Sequence, residues 1–232
     1  MKDNVAVVLL SGGQDSTTCL YWAKKRFTKV HAVSIGYGQK HAVEINAARK
    51  IATMAEVSYE HIDLKKVLTG TSPLVSDNPL GKYEDAESLP GGIEPTFVPA
   101  RNILFLTIAA NRAAVHGALN LVTGVCEEDF GGYPDCRREF IDAMENALGL
   151  GITGKSGHFK IHTPLMNLSK KESVDLAVEI PGCLDALSYS HTCYDGKVPP
   201  CGKCHACLLR DRGFTDAGIK DPLIVRLSEE NV

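Results

Sequence analysis

Short apolar runs alternate with longer segments of helical periodicity along most of the chain. Residues 4–10 form a β-branched run without polar alternation, which is typical of a strand buried on both faces. The pattern predicts strands at 4–10, 30–35, 59–64, 119–123 and 159–163, and helices at 16–25, 39–55, 102–116, 136–148 and from Ser169 onward. Ser169 and Glu172 form a capping-box pattern at the start of the last helix. This β-α-β-α order predicts an α/β fold, with a parallel β-sheet and helices on both faces.

Two stretches interrupt this alternation. Residues 69–99 contain Pro73, Pro79, Pro90 and Pro95, and the stretch is too long for a routine connection, which predicts a lid or a partly disordered loop. From Ser188 onward, closely spaced cysteines replace the periodicity. We therefore expect a sheet domain at 1–187 and a small C-terminal region at 188–232 packed on it.

Composition narrows the function classes. A chain of 232 residues with 44% hydrophobic and 23% charged residues is typical of a globular enzyme-sized domain. The 25 Lys and Arg against 28 Asp and Glu give a formal net charge of -3, which argues against nucleic-acid binding through overall positive charge. The longest nearly apolar run, 103–110, is too short to span a bilayer, and no secretory signal is apparent. We expect a cytoplasmic protein without a membrane or a direct nucleic-acid partner.

A glycine-rich segment follows the first predicted strand, with the sequence SGGQDS from Ser11 to Ser16. A strand, a glycine turn and a helix N-terminus together form an anion site, because unpaired backbone N–H groups and the helix dipole favour negative charge. Gly12 and Gly13 allow the backbone to approach phosphate oxygens, and Asp15 is suited to a metal ion that bridges to them. The alternative is a tight turn in which Asp15 caps the helix.

Cysteines crowd into the C-terminal region, where CGKCHAC supplies Cys201, Cys204 and Cys207, and Cys193 lies just upstream. Four thiolates can surround one Zn²⁺ ion tetrahedrally, so we predict one structural zinc per chain. An iron–sulfur cluster or a redox-active cysteine pair is the alternative. The remaining cysteines are interpreted as small packing residues, namely Cys19, Cys126, Cys136 and Cys183.

Further polar motifs follow predicted strands or lie at the start of predicted helices. In such folds these positions lie at the edge of the sheet where ligands bind. They are FVPARN at 97–102, GYPDCR at 132–137, and the segment from Thr163 to Lys170. The acidic residues at 127–129 are either metal ligands or a solvated turn.

The SGGQDS segment resembles the loop of the PP-loop ATP-pyrophosphatase superfamily, whose enzymes cleave ATP to AMP and pyrophosphate by adenylating an oxygen of the substrate. Together with GYPDCR, PARN and CGKCHAC, it resembles the 7-cyano-7-deazaguanine synthase family of queuosine biosynthesis over residues 5–210. One departure is Gly131, where serine is expected. The resemblance implies a PP-loop fold and an ATP-dependent C–N ligase that converts 7-carboxy-7-deazaguanine and ammonia to the nitrile through two adenylations. It also implies ATP with Mg²⁺, and a homodimer.

The resemblance implies a role for individual residues. Asp15, Ser16, Arg101 and Lys170 are the expected catalytic residues, and the expected ATP-binding residues are Leu10, Ser11, Gly12, Gly13, Gln14, Asp15, Ser16, Thr17 and Thr18. Arg101 is expected to pair with the substrate carboxylate or a phosphate, and Lys170 to stabilise departing pyrophosphate. Tyr133 is expected to stack on the deazapurine and Asp135 to accept N–H groups of the guanine edge. The alternatives are an Arg101–Glu94 ion pair, a solvated Lys170, a core position for Tyr133 and an Asp135 that only caps the next helix.

Two other functions fit part of the sequence. A PP-loop enzyme that modifies a tRNA base predicts a basic surface and tRNA binding, which the net charge of -3 disfavours. A nucleotide-sensing zinc module without turnover would not need the additional polar motifs at the ends of the strands.

Overall fold

The computed structural model describes residues 4–38, 43–65, 67–90, 92–127 and 132–230. These residues form one parallel sheet of five strands in the order β3-β2-β1-β4-β5. The strands are β1 Val5–Leu9, β2 Lys29–Gly36, β3 Ser58–Asp63, β4 Asn120–Val122 and β5 Lys160–His162. The predicted parallel sheet and the place of each predicted strand are therefore confirmed.

Helices connect the strands and extend the chain beyond them. They are α1 Gln14–Lys24, α2 Val43–Met54, α3 Arg101–Val115, α4 Arg138–Thr153, α5 Lys170–Val178, α6 Cys183–Leu187, α7 His205–Asp216 and α8 Pro222–Glu229. The helix expected at 136–148 differs at both ends, because a short 3-10 turn, Pro134–Cys136, precedes α4, and α4 continues to Thr153. Gly154 ends it with φ 70°, the left-handed conformation that glycine adopts readily. Of the helix expected at 39–55, residues 39–42 lie outside the described ranges.

The sheet is covered on both faces by helices, as predicted. Successive side chains of a strand point to opposite faces, so both faces of β1 can be apolar only if both are buried. Ala6 and Val8 pack with α1, α2, α5 and α6 on one face, whereas Val7 packs with α3 and α4 on the other. The three side chains are fully buried, which explains the absence of polar alternation in this strand.

The strand order places a crossover between β1 and β4. The chain runs outward from β1 through β2 to β3 and then returns through α3 to β4, on the other side of β1. In open parallel sheets, ligands bind at the carboxyl ends of the strands where the order reverses. At this point Gly124, which comes shortly after β4, lies against the first turn of α1. An added Cβ at Gly124 would be 3.1 Å from the carbonyl carbon of Asp15.

The described part of the 69–99 stretch crosses the surface without a helix or strand, and several of its side chains are buried. Leu80 packs against the cysteine cluster, and the Tyr83 N–H donates a 2.9 Å hydrogen bond to the carbonyl of Lys203. This stretch is therefore attached to the C-terminal region; a lid function remains a prediction.

The C-terminal region shares a core with the sheet. Phe214 of α7 is buried in the same cluster as β1 and α1. Arg210 is buried and forms a double ion pair with Asp221, with N–O distances of 2.6 and 2.9 Å. Its guanidinium also donates to the hydroxyls of Ser190 and Thr192, which fixes the chain before the cysteines. The predicted boundary at 187/188 remains a prediction. None of the helices in the described ranges has both the length and the apolar character needed to cross a bilayer.

Candidate active site and cysteine cluster

A cavity of about 310 Å³ opens at the carboxyl ends of β1, β2 and β4. Its wall includes the glycine loop after β1, the first turn of α3, and the 191–194 segment. Leu10, Ser11, Gly13, Gln14, Asp15 and Ser16 line it, as do Arg101 and Tyr133. The fold thus brings most of the predicted ATP-binding residues and two of the predicted substrate-binding residues to one cavity.

The glycine loop leaves the N-terminal amides of α1 directed toward this cavity. Gly13, which has no side chain, occupies the N-cap position, so Asp15 does not cap α1. The Ser11 and Ser16 hydroxyls lie 3.0 Å apart. The Ser16 hydroxyl also donates to the Gly13 carbonyl at 3.2 Å. The hydroxyls of the buried Thr17 and Thr18 donate to the carbonyls of Gly13 at 2.7 Å and Gln14 at 3.2 Å.

Gly12 allows α2 to pack directly against this loop. It has a φ of 91°, and an added Cβ would lie 2.3 Å from the carbonyl oxygen of Glu44 and 2.8 Å from the amide of Ala48. A side chain at this position would separate α2 from the loop. The Gly12 carbonyl also accepts a 2.8 Å hydrogen bond from the His191 N–H, so the C-terminal region holds the loop from the other side.

Lys170 joins Asp15 at the edge of the main cavity. Its Nζ lies 2.8 Å from Asp15 Oδ2, and the side chains are 16% and 27% exposed. The predicted capping box of Ser169 and Glu172 is formed and places Lys170 as the first residue of α5. The two residues also line a smaller adjoining cavity of about 80 Å³ that shares Gln14 and Tyr133 with the main one. The alternative of a solvated Lys170 is thus wrong.

Asp135 stabilises the start of α3. The N-cap of α3 is Ala100, which has no polar side chain, and the Asp135 carboxylate accepts the Asn102 N–H at 3.3 Å. Asn102 Nδ2 in turn donates to the Asp135 carbonyl at 3.2 Å. Burial raises the pKa of Asp135, while the hydrogen bond from Asn102 and the charge of Arg101 lower it. Asp135 thus caps α3, a helix that precedes it in the chain and begins at Arg101.

Arg101 lies among aromatic and acidic groups in the cavity wall. Its guanidinium is 5.9 Å from the ring centroid of Tyr37. Glu94, the suggested ion-pair partner, instead accepts hydrogen bonds from the Thr96 N–H at 2.8 Å and the Tyr83 hydroxyl at 3.2 Å. The Arg101–Glu94 alternative is therefore wrong, and Arg101 lines the cavity beside Tyr37.

Glu44 also lines the cavity, and sequence reasoning missed it. Burial raises its pKa to about 7, although the positive charge of Arg101 lowers it. The only sequence signal was an acidic residue near the start of a predicted helix, which is common on solvated helices.

Tyr133 contacts both the cavity and the 69–99 stretch. Its hydroxyl lies 2.6 Å from Thr96 Oγ1, and its ring is 5.4 Å from the Phe97 ring. Burial raises the pKa of Tyr133 to about 12, so the phenol stays protonated at neutral pH.

The acidic turn at 127–129 is described only at Glu127, whose carboxylate accepts the Arg138 N–H at 2.5 Å at the start of α4. Residues 128–131, including Gly131, lie outside the described ranges. Glu127 is therefore a helix-capping residue.

Cys193, Cys201, Cys204 and Cys207 form a cluster whose sulfur atoms all lie within 4.8 Å of one another. Tetrahedral zinc with Zn–S bonds of about 2.3 Å requires sulfur atoms about 3.8 Å apart, which is close to the 4.0 Å between Cys201 and Cys207. Lys82 Nζ lies 3.4 Å from Cys201 Sγ and adds positive charge beside the thiolates. The donor set and its spacing fit a metal ion.

The cysteine cluster adjoins the cavity, a relationship that the sequence did not predict. Cys193 lines the cavity together with His191, Thr192 and Tyr194. Their only sequence signal was proximity to Cys193. A metal ion at the cluster would fix the chain that forms this wall.

The comparisons with known proteins agree on one family. The family model of Queuosine biosynthesis protein QueC matches residues 5–218. The 7-cyano-7-deazaguanine synthase of Gloeobacter violaceus is 54% identical over 221 residues, covering 94% of each chain. The enzyme of the same name from Chromobacterium violaceum is 48% identical over 234 residues, covering 99% of this chain and 97% of its own.

Among solved structures, the NH3-dependent NAD synthetase from Campylobacter jejuni aligns with 99% of this chain and 84% of its own. The TM-score is 0.46 and the sequence identity 15%. The family match covers the glycine loop, the cavity wall and the cysteine cluster. The chain therefore belongs to the QueC family of queuosine biosynthesis proteins.

Proposed function

We propose that this protein converts 7-carboxy-7-deazaguanine and ammonia to 7-cyano-7-deazaguanine at the expense of ATP. Relatives that match nearly the whole chain carry the name of this synthase. The observation that carries the proposal is that the glycine loop, Arg101 and Tyr133 line one cavity. Its volume of about 310 Å³ falls in the range of small-molecule sites.

The proposed chemistry needs activation of a carboxylate, which is a poor electrophile until one of its oxygens becomes a leaving group. ATP adenylates the carboxylate and releases pyrophosphate, and ammonia then displaces AMP to give the amide. A second ATP adenylates the amide oxygen, and loss of AMP and a proton leaves the nitrile. The glycine loop binds the phosphates through the amides of α1, and Ser11 and Ser16 contribute hydroxyl donors. Asp15 would hold the Mg²⁺ ion that accompanies ATP, and that ion would offset the charge of the phosphates.

The remaining predicted residues act around the substrate. Arg101, which lines the cavity, pairs with the substrate carboxylate or neutralises a phosphate. Lys170, held beside the loop by Asp15, stabilises pyrophosphate as it departs. Tyr133, which also lines the cavity, contacts the deazapurine. Asp135, whose carboxyl is influenced by the charge of Arg101, reads N–H groups of the guanine edge.

The cysteine cluster binds one structural Zn²⁺ per chain. Four thiolates close a tetrahedral site without an open position, so zinc there supplies folding free energy to the C-terminal region and no reactive ligand. Its contribution to activity is indirect, through Cys193 and the cavity wall next to it.

The protein acts as a homodimer in the cytoplasm. We place the partner contacts among the exposed apolar side chains of α3 and α4, of which Ile103 is 46% exposed, Leu150 51% and Ile152 38%. Native mass spectrometry at micromolar concentration should show twice the chain mass, and a monomer at all concentrations would contradict the dimer.

The proposed function is tested with ATP, ammonium and 7-carboxy-7-deazaguanine. We expect the nitrile by mass spectrometry, with two AMP and two pyrophosphate formed for each. Absence of AMP, pyrophosphate and nitrile would overturn the assignment. AMP formation that depends on added tRNA would favour the tRNA-modifying alternative, and tight ATP binding without turnover would favour a nucleotide sensor.

A further inference from the structure

A series of hydrogen-bonded side chains connects the protein interior to the cavity. Glu94 and Thr96 are 2% and 1% exposed. The Glu94 carboxylate accepts hydrogen bonds from the Thr96 hydroxyl, from the Thr96 N–H at 2.8 Å and from the Tyr83 hydroxyl at 3.2 Å. The Thr96 hydroxyl is also 2.6 Å from the hydroxyl of Tyr133, which lines the cavity.

Glu94 is held in place from the C-terminal region. Tyr83, which donates to Glu94, is attached through its backbone N–H to the carbonyl of Lys203 within the CGKCHAC segment. The neighbouring Lys82 bonds to Asp195 at 2.9 Å and contacts Cys201 Sγ at 3.4 Å. Glu94 is thus linked through Tyr83 to the cysteine-containing segment, and Tyr133, at the other end of this series of hydrogen bonds, lines the cavity.

The direction of each hydrogen bond in this series follows from the number of hydrogens that each group can donate. An ionised carboxylate only accepts hydrogen bonds, and a hydroxyl has a single hydrogen to donate. Thr96 donates that hydrogen to Glu94, so in its contact with Tyr133 the threonine oxygen accepts. Because the pKa of Tyr133 is raised to about 12 by burial, its hydroxyl keeps its proton and donates it to Thr96. The Tyr133 oxygen then has lone pairs left for the cavity and no hydrogen.

We propose that Tyr133 is a specificity-determining residue whose phenolic oxygen accepts a hydrogen bond from an N–H group of the bound heterocycle, and that Glu94 is the positioning residue that imposes this direction through Thr96. The inference rests on the proposed function and adds the polarity of one substrate contact. Guanine-type rings present N–H donors on one edge. A heterocycle that presented an acceptor at this point would meet lone pairs and be rejected, because a buried acceptor would lose its partner.

The test compares Thr96→Val with Thr96→Ser. Valine removes the acceptor of the Tyr133 proton, so the hydroxyl can turn its hydrogen toward the cavity and oppose the substrate N–H. We expect the KM and the calorimetric Kd for 7-carboxy-7-deazaguanine to rise about 10- to 100-fold, while the KM for ATP changes less than about 3-fold. Thr96→Ser keeps the hydroxyl and should restore the wild-type value. Thr71→Val, at an exposed threonine of the same stretch, is the matched control.

A second pair of variants keeps the inference testable if Thr96→Val does not fold. Tyr133→Phe removes the acceptor at the surface of the cavity and should raise the Kd for the acid by a similar factor. The double variant Thr96→Val/Tyr133→Phe should be no worse than Tyr133→Phe, because the two changes remove one contact. Unchanged Kd for the acid in Tyr133→Phe, additive effects in the double variant, or a parallel loss of ATP affinity would overturn the inference. If the wild-type protein forms no nitrile, the proposed function fails, whereas these affinities measure the contact directly.

Discussion

Lys170 Nζ donates a 2.8 Å hydrogen bond to Asp15 Oδ2, although 155 positions separate the two residues in the chain. The pair joins the glycine loop after β1 to the start of α5 and is largely shielded from water. Removing either partner of a shielded ion pair leaves the other charge uncompensated. The pair therefore sets both the charge and the position of the loop before nucleotide binds.

Replacing Lys170 with glutamine should lower kcat for nitrile formation by about 100-fold or more, because the cation that stabilises departing pyrophosphate is lost. Lys171→Gln is the matched control, since Lys171 is the next residue of α5 and bonds to Asp175 on the exposed side. Steady-state kinetics of both variants check this. A Lys170→Gln enzyme within about 2-fold of the wild-type kcat would contradict the catalytic role.

Gly12→Ala should destabilise the fold and abolish ATP binding. The φ of 91° is strained for alanine, and its Cβ would clash with the carbonyl of Glu44. Gly154→Ala is the control, because Gly154 has a φ of 70° but nothing within 4 Å of an added Cβ. The difference between the two variants in urea unfolding isolates the clash with α2, and we expect Gly12→Ala to lose at least ~2 kcal/mol more. Equal losses would mean that only backbone strain matters.

Cys201→Ser should remove the metal and loosen the C-terminal region. We expect the wild-type protein to contain about one zinc per chain by elemental analysis, and the variant to contain little. Hydrogen exchange should accelerate between residues 193 and 212 and along the 80–83 segment attached to it. Cys183→Ala, at a cysteine buried in the sheet core, should keep the zinc. Full zinc content in Cys201→Ser would exclude this cysteine as a ligand.

Glu44→Gln should stabilise the apoprotein more at pH 8 than at pH 5. Burial raises the pKa of Glu44 from the ordinary value of 4.5 to about 7, with Arg101 opposing the shift. Between these two values the folded state binds a proton that the unfolded state has lost, so this carboxyl makes the free energy of unfolding fall as pH rises. Glutamine carries no charge and removes that dependence. Thermal unfolding of the wild-type protein and Glu44→Gln from pH 5 to pH 8 checks this prediction. A difference in stability between the two proteins that stays constant across this range would contradict it. Glu179→Gln, at an exposed residue, is the control.

The features that could be predicted from the sequence are those encoded by neighbouring residues. β1 is buried on both faces, and the Ser169 capping box is local, so both could be read from neighbouring residues. The glycine loop was predictable for the same reason, since its strand, turn and helix are continuous in the chain.

The parts that sequence reasoning missed depend on contacts between distant segments. Asp135 was considered as a cap for the helix after it, but its carboxylate lies against Asn102 of the helix before it. Glu44 reaches the cavity only because Gly12 admits α2 so closely. His191 lies at the site because its backbone N–H donates a hydrogen bond to the Gly12 carbonyl. No local pattern encodes these three relationships, because each arises from the packing of whole elements.

The fixing of the 190–194 segment by Arg210 and Asp221 has a consequence for synthesis of the protein on the ribosome. The glycine loop is synthesised before Arg210 and Asp221, the two residues that fix the cavity wall at 191–194. The nascent sheet can pair its strands in order, but the cavity gains its last side only after Asp221 has emerged. A nascent chain interrupted between Lys170 and Asp221 therefore holds all five strands of the sheet without the residues that fix this wall.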